Sequence, residues 1–280
     1  MANFHEKLVL NKYMLSLFGI DSIGKKIMGK NGVEIFTELK LSSNEGYTEE
    51  GNTRYLQSLI HHLYNSEHIT ATMLQTYDEN IVRYTKQISE KRSELIVWKY
   101  FQYLSLLFTE VYLDKYFQNK VKLLTELNEF VKEFNHKQTQ ANAGKKSKDA
   151  FTAQPFTLES LNKLAFWNAT GSGKTLLMHI NIKQYLHYAH LYNQQHQNKV
   201  LLITPNEGLT KQHLEEFKFS DIRANSFSKN DSGMYSGQQV EILEITKLAE
   251  DSGDKTVAVE SFETSNLVLI DEGHGGMSGD

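Results

Sequence analysis

A glycine-rich stretch near the middle of the chain carries residue types that bind phosphate. Its core reads Ala-Thr-Gly-Ser-Gly-Lys-Thr and spans 169–175. Successive backbone N–H groups in such a turn, with the positive end of a following helix, form an anion site. The glycines let the backbone bend tightly and approach phosphate oxygens. We therefore predict that the phosphate groups of a nucleotide are bound by Thr170, Gly171, Ser172, Gly173, Lys174 and Thr175.

Two side chains of this loop have separate predicted tasks. Lys174 can reach the β- and γ-phosphates, and the hydroxyl of Thr175 can hold Mg²⁺. The strict motif has a glycine five residues before Gly173, where this chain has Asn168. The context compensates for that departure, because an apolar run over about 163–167 predicts a strand before the loop and a helical pattern follows it.

An acidic pair follows the last apolar run of the chain, 267–270. Carboxylates at the carboxyl end of a buried strand lie where ligands bind in open α/β sheets. Mg²⁺ prefers oxygen ligands, so we predict that Asp271 holds it through water. Glu272 is then placed to orient or deprotonate an attacking water. Lys174, Asp271 and Glu272 are thus the predicted catalytic residues.

The segments around these residues alternate between strand and helix patterns. Short continuous apolar runs predict strands buried on both faces, and alternation with helices predicts a parallel sheet covered on both sides. The predicted strands after the loop cover about 200–203, 240–243, 256–259 and 267–270, and the predicted helices cover about 174–192 and 209–217.

The chain before the phosphate loop has a different character. Residues 1–135 predict a helical region, since apolar residues recur at helical spacing and no proline occurs before Pro155. Residues 136–150 are polar and predict an exposed linker. We therefore expect a helical N-terminal region, this linker, and an α/β lobe over 151–280.

Composition limits the protein class. The 280 residues carry a net charge of −4, so nucleic acid must be met by local patches, not by a global basic field. Cysteine is absent, which excludes disulfides and thiolate metal sites. No apolar run approaches the roughly 18 residues of a membrane span, and the N-terminus has no secretory pattern. We expect a cytoplasmic protein with no membrane partner.

Together these motifs resemble the first motor lobe of superfamily 2 helicases and translocases, most closely DEAD/DEAH-box proteins of the type III restriction enzyme Res-subunit kind. The resemblance covers about 150–280 and implies a P-loop RecA-like lobe. It also implies that Asp271, Glu272 and His274 form the DExH box, with His274 in coupling. Thr204 and Pro205 match the motif that touches the nucleic-acid backbone, and Gln154 lies roughly where an adenine-reading glutamine is found.

The resemblance implies an ATP-dependent DNA helicase or translocase of restriction or defence type. Its implied partners are duplex DNA, a methyltransferase or other defence subunit, and a second RecA-like lobe. The motifs of that second lobe do not occur up to Asp280, so we expect this stretch alone to hydrolyse ATP barely at all. Two alternatives stay open: a P-loop ATPase that switches a protein partner, and a non-catalytic remnant.

Overall fold

The chain forms two compact units in the computed structural model. The structure describes residues 7–19, 32–62, 68–142, 151–169, 171–194, 199–227, 240–249, 257–258 and 265–272. The first unit comprises Met1–Val82 and Val97–Ala169. The second comprises Arg83–Ile96 and Thr170–Asp280, so a short N-terminal segment belongs to the unit that carries the phosphate loop.

The described part of the first unit is helical, as predicted. Helix α4 begins in this unit and ends in the second. In chain order, the helices before the phosphate loop are α1 Val9–Leu17, α2 Gly32–Leu39, α3 Arg54–His62, α4 Ala71–Ser89 and α5 Tyr100–Asn142. Short 3-10 turns occur at Ser42–Asn44 and Ser160–Asn162.

A buried carboxylate ties three parts of the first unit together. Asp78 of α4 is fully buried and accepts hydrogen bonds from the backbone N–H of Thr53 at 2.9 Å and from the Tyr103 hydroxyl at 2.6 Å. The Thr53 hydroxyl donates to it as well. Burial raises the pKa of the Asp78 carboxyl, and these hydrogen bonds oppose the rise.

The predicted linker begins inside a helix. Helix α5 continues to Asn142, and 143–150 lie outside the described residues. The chain after them packs back on α5, since the amide of Asn135 exchanges two 2.9 Å hydrogen bonds with the backbone of Ala153. The amide of Asn128 exchanges two hydrogen bonds with the backbone of Phe156, at 3.1 and 2.7 Å. The division into a helical region, a linker and a lobe over 151–280 stays a prediction.

The second unit alternates strands and helices around a parallel sheet. Its helices are α6 Lys174–Leu191 and α7 Glu207–Phe219. Its strands are β1 Val200–Thr204, β2 Ala224–Ser226, β3 Val240–Glu244, β4 Leu248–Ala249, β5 Val257–Ala258 and β6 Leu267–Ile270. The main sheet has the order β2-β3-β1-β6, and β4 pairs with β5 separately. All these pairs are parallel, which confirms the predicted fold class, an α/β lobe preceded by an α-rich region.

One face of the main sheet carries most of the core. Helices α6 and α7 cover it with Ile182 and Phe217, which pack on Val200, Leu202 and the facing residues of β3. The opposite face has a smaller cluster around Leu201 and Leu243. Because side chains alternate along a strand, β1 and β3 contribute to both clusters.

The prediction that 267–270 is buried on both faces is wrong. Leu267 and Leu269 pack on the core side of the sheet, whereas Val268 and Ile270 remain 45% and 61% exposed. The strand is at the end of the described sheet order, and within the described residues nothing covers its second face. An apolar run alone cannot show how many faces of a strand are covered.

The prediction of a strand before the phosphate loop is also wrong. Residues 163–169 have no regular structure, although Lys163 is extended. Phe166 is 44% exposed and Trp167 is 74% exposed, and no described strand pairs with this segment. A short apolar run does not by itself form a strand, because strand formation depends on pairing with a neighbouring strand and on burial.

Candidate active site

The phosphate loop leads directly into helix α6. Gly171 and Gly173 have φ angles of +74° and +80°, a region that side chains with a Cβ rarely adopt. A Cβ at Gly171 would meet no protein atom within 4 Å, so conformation, not crowding by the protein, requires glycine there. Gly173 caps α6 without any side-chain hydrogen bond. Among the described residues, therefore, no cap side chain competes with a phosphate for the first N–H groups of the helix.

The acidic pair lies at the carboxyl end of β6. The N–H of Asp271 donates to the carbonyl of Ile203 at 3.0 Å, so the residue continues the ladder with β1. Glu272 then turns with a φ of +53°. A non-glycine residue in this left-handed region costs free energy, and such residues concentrate at functional sites. The turn brings the Glu272 side chain back towards the phosphate loop.

Lys174 and Glu272 form an ion pair. The Nζ atom of Lys174 lies 2.9 Å from Oε1 of Glu272, and the two side chains are 29% and 32% exposed. The two motifs, 98 residues apart in sequence, therefore meet at one place. Partly exposed pairs of this kind contribute about 0.2–1 kcal/mol, so a phosphate group can displace the carboxylate from the ammonium.

Asp271 is held by two donors. Oδ2 lies 2.8 Å from Nε2 of His213, and Oδ1 accepts the N–H of Glu272 at 3.0 Å. The hydrogen bond from His213 is the main cause that lowers the pKa of the Asp271 carboxyl, burial opposes it, and nearby Lys174 adds to the lowering. Asp271 is therefore a carboxylate at neutral pH, the form in which it can bind a cation.

Two oxygen donors are sequence neighbours of the Lys174–Glu272 ion pair. They are the ionised carboxylate of Asp271 and the hydroxyl of half-buried Thr175, which follows Lys174 in the first turn of α6. Mg²⁺ prefers such ligands and keeps several of its waters. The described residues contain no group of three or more His, Asp or Glu side chains that could hold a metal by themselves. A site shared with phosphate oxygens fits this sparse ligand set.

The other predicted site residues are more scattered. Thr204 ends β1, is fully buried, and shares a 2.7 Å hydrogen bond with Thr210, so its side chain offers no surface in this conformation. Pro205 is half-buried beside it. Gln154 is exposed and belongs to the first unit. Thr170 and His274 lie outside the described residues. The roles assigned to these five residues stay predictions.

The sequence did not single out His213. It lies on α7 between Thr210 and Phe217, and all three side chains are buried. Their spacing of three and four residues marks one face of a helix, which was the available signal. That pattern does not reveal what a buried histidine contacts, because its partner Asp271 is 58 residues away in the chain.

A second buried histidine lies on α6. The ring of His179 stacks on that of Phe217, with centroids 4.3 Å apart, and its Nδ1 lies 2.8 Å from the Ser220 hydroxyl. Arg92 donates to Ser220 at 3.0 Å and to Glu216 at 3.1 Å. Because Arg92 belongs to the segment 83–96, these bonds fasten that segment to the α/β unit.

The comparison with known families agrees with this geometry. The family model for the type III restriction enzyme, res subunit, matches residues 129–279, which is more than half of the 280-residue chain. No curated protein and no solved structure matches the chain. No helix among the described residues is long and apolar enough to cross a membrane. The chain therefore belongs to the type III restriction enzyme res-subunit family, and it carries a superfamily 2 helicase-like domain of that family.

Proposed function

We propose that this chain binds ATP with Mg²⁺ as the first motor lobe of an ATP-dependent DNA helicase or translocase of restriction or defence type. The observation that carries the proposal is the 2.9 Å contact between Lys174 and Glu272. It joins the phosphate loop to the acidic pair at the carboxyl edge of a parallel sheet, where such folds bind ligands. The family supplies the helicase-like ATPase class.

The first step is an exchange of partners at Lys174. In the free chain its ammonium is neutralised by Glu272. A triphosphate held by the loop and by the first turn of α6 offers more negative charge and takes the ammonium over. Glu272 is then released, and its carboxylate orients or deprotonates the water that attacks the γ-phosphate.

The second step concerns the metal. Asp271 and Thr175 would hold Mg²⁺, Asp271 through water. A bound ion would supply positive charge that neutralises the phosphate oxygens, including those of the ADP that leaves when the bond between the β–γ bridging oxygen and the γ-phosphorus breaks. Asp271 contributes a carboxylate that is ionised at neutral pH and fixed by two hydrogen bonds.

Two points support the proposal that the chain binds nucleic acid. One is the family, and the other is that the proposed DNA site and the proposed nucleotide site lie at the same edge of the sheet. Pro205 and exposed Asn206 follow β1, the neighbour of β6. A DNA backbone held there would contact the elements that carry the acidic pair. Duplex DNA, a second RecA-like lobe, and a methyltransferase or other defence subunit are the proposed partners, in the cytoplasm.

Nucleotide binding by Lys174→Ala tests the proposal. We expect the wild-type chain to bind a fluorescent ATP analogue in the presence of Mg²⁺, and Lys174→Ala to lose binding because the phosphates lose their cation. Lys199→Ala is the matched control. Lys199 also pairs with a glutamate, Glu241, at 3.4 Å, but it lies at the opposite end of β1. Equal binding by both variants would overturn the proposal.

A titration with DNA distinguishes the motor hypothesis from the alternative, an ATPase that switches a protein partner. Duplex DNA added to the ATP-bound wild-type chain should change its affinity for the nucleotide, because motor lobes couple the two ligands. An unchanged affinity over the whole DNA titration would favour the switch. The same titration with Glu272→Gln, which keeps the loop intact, should give the same DNA effect.

A further inference from the structure

We propose that His213 is a positioning residue that holds Asp271 in the orientation in which it binds the magnesium ion of the nucleotide. The inference rests on the proposed function, because it assigns a second residue to the same metal site. Its basis is the 2.8 Å contact between Nε2 of His213 and Oδ2 of Asp271. The imidazole carries a proton on Nε2 in the state that donates to the carboxylate.

The contact fixes the carboxylate from two directions. Oδ1 accepts the N–H of the next residue, Glu272, and Oδ2 accepts from His213 on a different element, α7. A carboxylate has about four lone-pair positions, so each oxygen keeps one for the ion or for its water. Without His213, the local backbone contact is the only hydrogen bond to the Asp271 carboxylate that remains among the described residues, and the side chain is then able to turn away from the site.

His213 is itself rigidly placed. Its side chain is 3% exposed, and its ring lies 6.3 Å from that of Phe217. One turn earlier in α7, the Thr210 hydroxyl is bonded to Thr204 at the end of β1. Asn206 caps the N-terminus of α7, because its side chain accepts a hydrogen bond from the N–H of Leu209. The donor is therefore anchored to the strand beside β6.

The second nitrogen of His213 argues against a purely structural role. Nδ1 is buried and has no hydrogen-bond partner among the described residues. A buried polar atom without a partner is unfavourable, and an apolar side chain would fill this position without that penalty. The histidine is accounted for by the bond that its other nitrogen makes to Asp271.

Metal affinity in three His213 variants tests the inference. Mn²⁺ binding is titrated by electron paramagnetic resonance in the presence of saturating ADP. His213→Ala should weaken Mn²⁺ binding about 10- to 100-fold, the usual effect of removing a group that orients a metal ligand. His213→Gln should restore it, because its amide N–H reaches the position of Nε2. His213→Asn should not, because it is one methylene shorter.

Two controls separate metal positioning from folding. ADP binding in EDTA should be the same in all variants. His179→Asn, which changes a buried histidine whose Nδ1 contacts the Ser220 hydroxyl, should bind Mn²⁺ like the wild type. Wild-type Mn²⁺ affinity in His213→Ala, or equal affinities in the Asn and Gln variants, would overturn the inference and leave the proposed function intact. A wild-type chain that binds no ADP at all would overturn both.

A measurement on the unmodified chain covers the case in which the variants do not fold. With ¹⁵N-labelled histidine, the His213 imidazole signal should shift when Mg²⁺ is added to the ADP complex, because the partner of its Nε2–H takes up the ion. ADP added without Mg²⁺ is the reference. An imidazole signal that is identical with and without Mg²⁺ would overturn the inference.

Discussion

His179 makes the stability of the α/β unit depend on pH in a way that can be calculated. The side chain is fully buried, and its Nε2 has no hydrogen-bond partner among the described residues. Burial lowers the pKa of His179 from 6.5 to about 3, and electrostatic interactions with His213, Arg92 and Lys183 add to the lowering. The folded chain therefore keeps this histidine neutral at pH values where the unfolded chain protonates it.

The sign follows from proton uptake. Between about pH 6.5 and pH 3 the unfolded state binds more protons at His179 than the folded state does, so the free energy of unfolding rises with pH. The contribution is fully present above the unfolded pKa and is lost as the pH falls towards 3. From pH 7 to pH 5 the loss is about 2 kcal/mol, at 1.36 kcal/mol per unit of pKa.

The perturbation is His179→Asn. The asparagine oxygen takes the place of Nδ1 and still accepts from Ser220, but the side chain does not titrate. The variant should therefore lose about 2 kcal/mol less than the wild type between pH 7 and pH 5. His190→Asn is the control on the same helix, and it should behave as the wild type because His190 is exposed.

The assay must report on the α/β unit alone. Both tryptophans, Trp98 and Trp167, belong to the first unit, so their fluorescence does not follow His179. Urea unfolding is instead read from hydrogen exchange of the β1 peptide, Val200–Thr204, by mass spectrometry. If the wild type and His179→Asn lost equal stability between pH 7 and pH 5, the assignment of a buried neutral histidine would be refuted.

Two further predictions concern hydrogen-bonded polar groups. Arg92→Ala should destabilise the α/β unit by about 1.5–3 kcal/mol in the same assay, because it removes charge-assisted hydrogen bonds to the end of α7. Lys91→Ala breaks an ion pair whose side chains are 57% and 58% exposed, so it should change the free energy of unfolding little. A smaller loss for Arg92 than for Lys91 would contradict this. Asp78→Ala should destabilise the first unit by about 1–3 kcal/mol or more, because the N–H of Thr53 loses its acceptor. Tyr103→Phe should destabilise it less when both variants are measured by urea unfolding with Trp98 fluorescence. The reverse order would be evidence against the buried network.

The order of elements in the α/β unit could be predicted because its signals are local. The sequence pattern predicts a helix over about 174–192 after the loop, and the observed helix spans Lys174–Leu191. The runs 200–203 and 240–243 became strands of nearly the same length. Short, β-branched apolar runs between polar turns leave few alternatives in a βα alternation.

The errors arose where a partner decides the outcome. The run 163–167 has the composition of a strand, but no described strand pairs with it. The run 267–270 is a strand, yet only one of its faces is packed. Strand pairing and the covering of a strand's faces depend on contacts with distant segments, which the local sequence pattern does not predict.

The candidate site divides in the same way. Lys174, Asp271 and Glu272 stood out because their residue types and flanking patterns are specific to phosphate chemistry. His213 did not, since a single histidine on the apolar face of a helix gives no sign of its partner. The pair that it forms with Asp271 depends on β1 and β6 lying side by side, which brings α7 to the end of β6.

The affinity of Glu272→Gln for ATP with Mg²⁺, measured beside the wild type by isothermal titration, tests most directly whether Lys174 and Glu272 meet at one triphosphate. Glutamine removes the carboxylate that competes with phosphate for the ammonium of Lys174. A pair of this exposure is worth about 0.2–1 kcal/mol, so the variant should bind ATP up to about fivefold more tightly. Unchanged or weaker binding by Glu272→Gln would contradict the account.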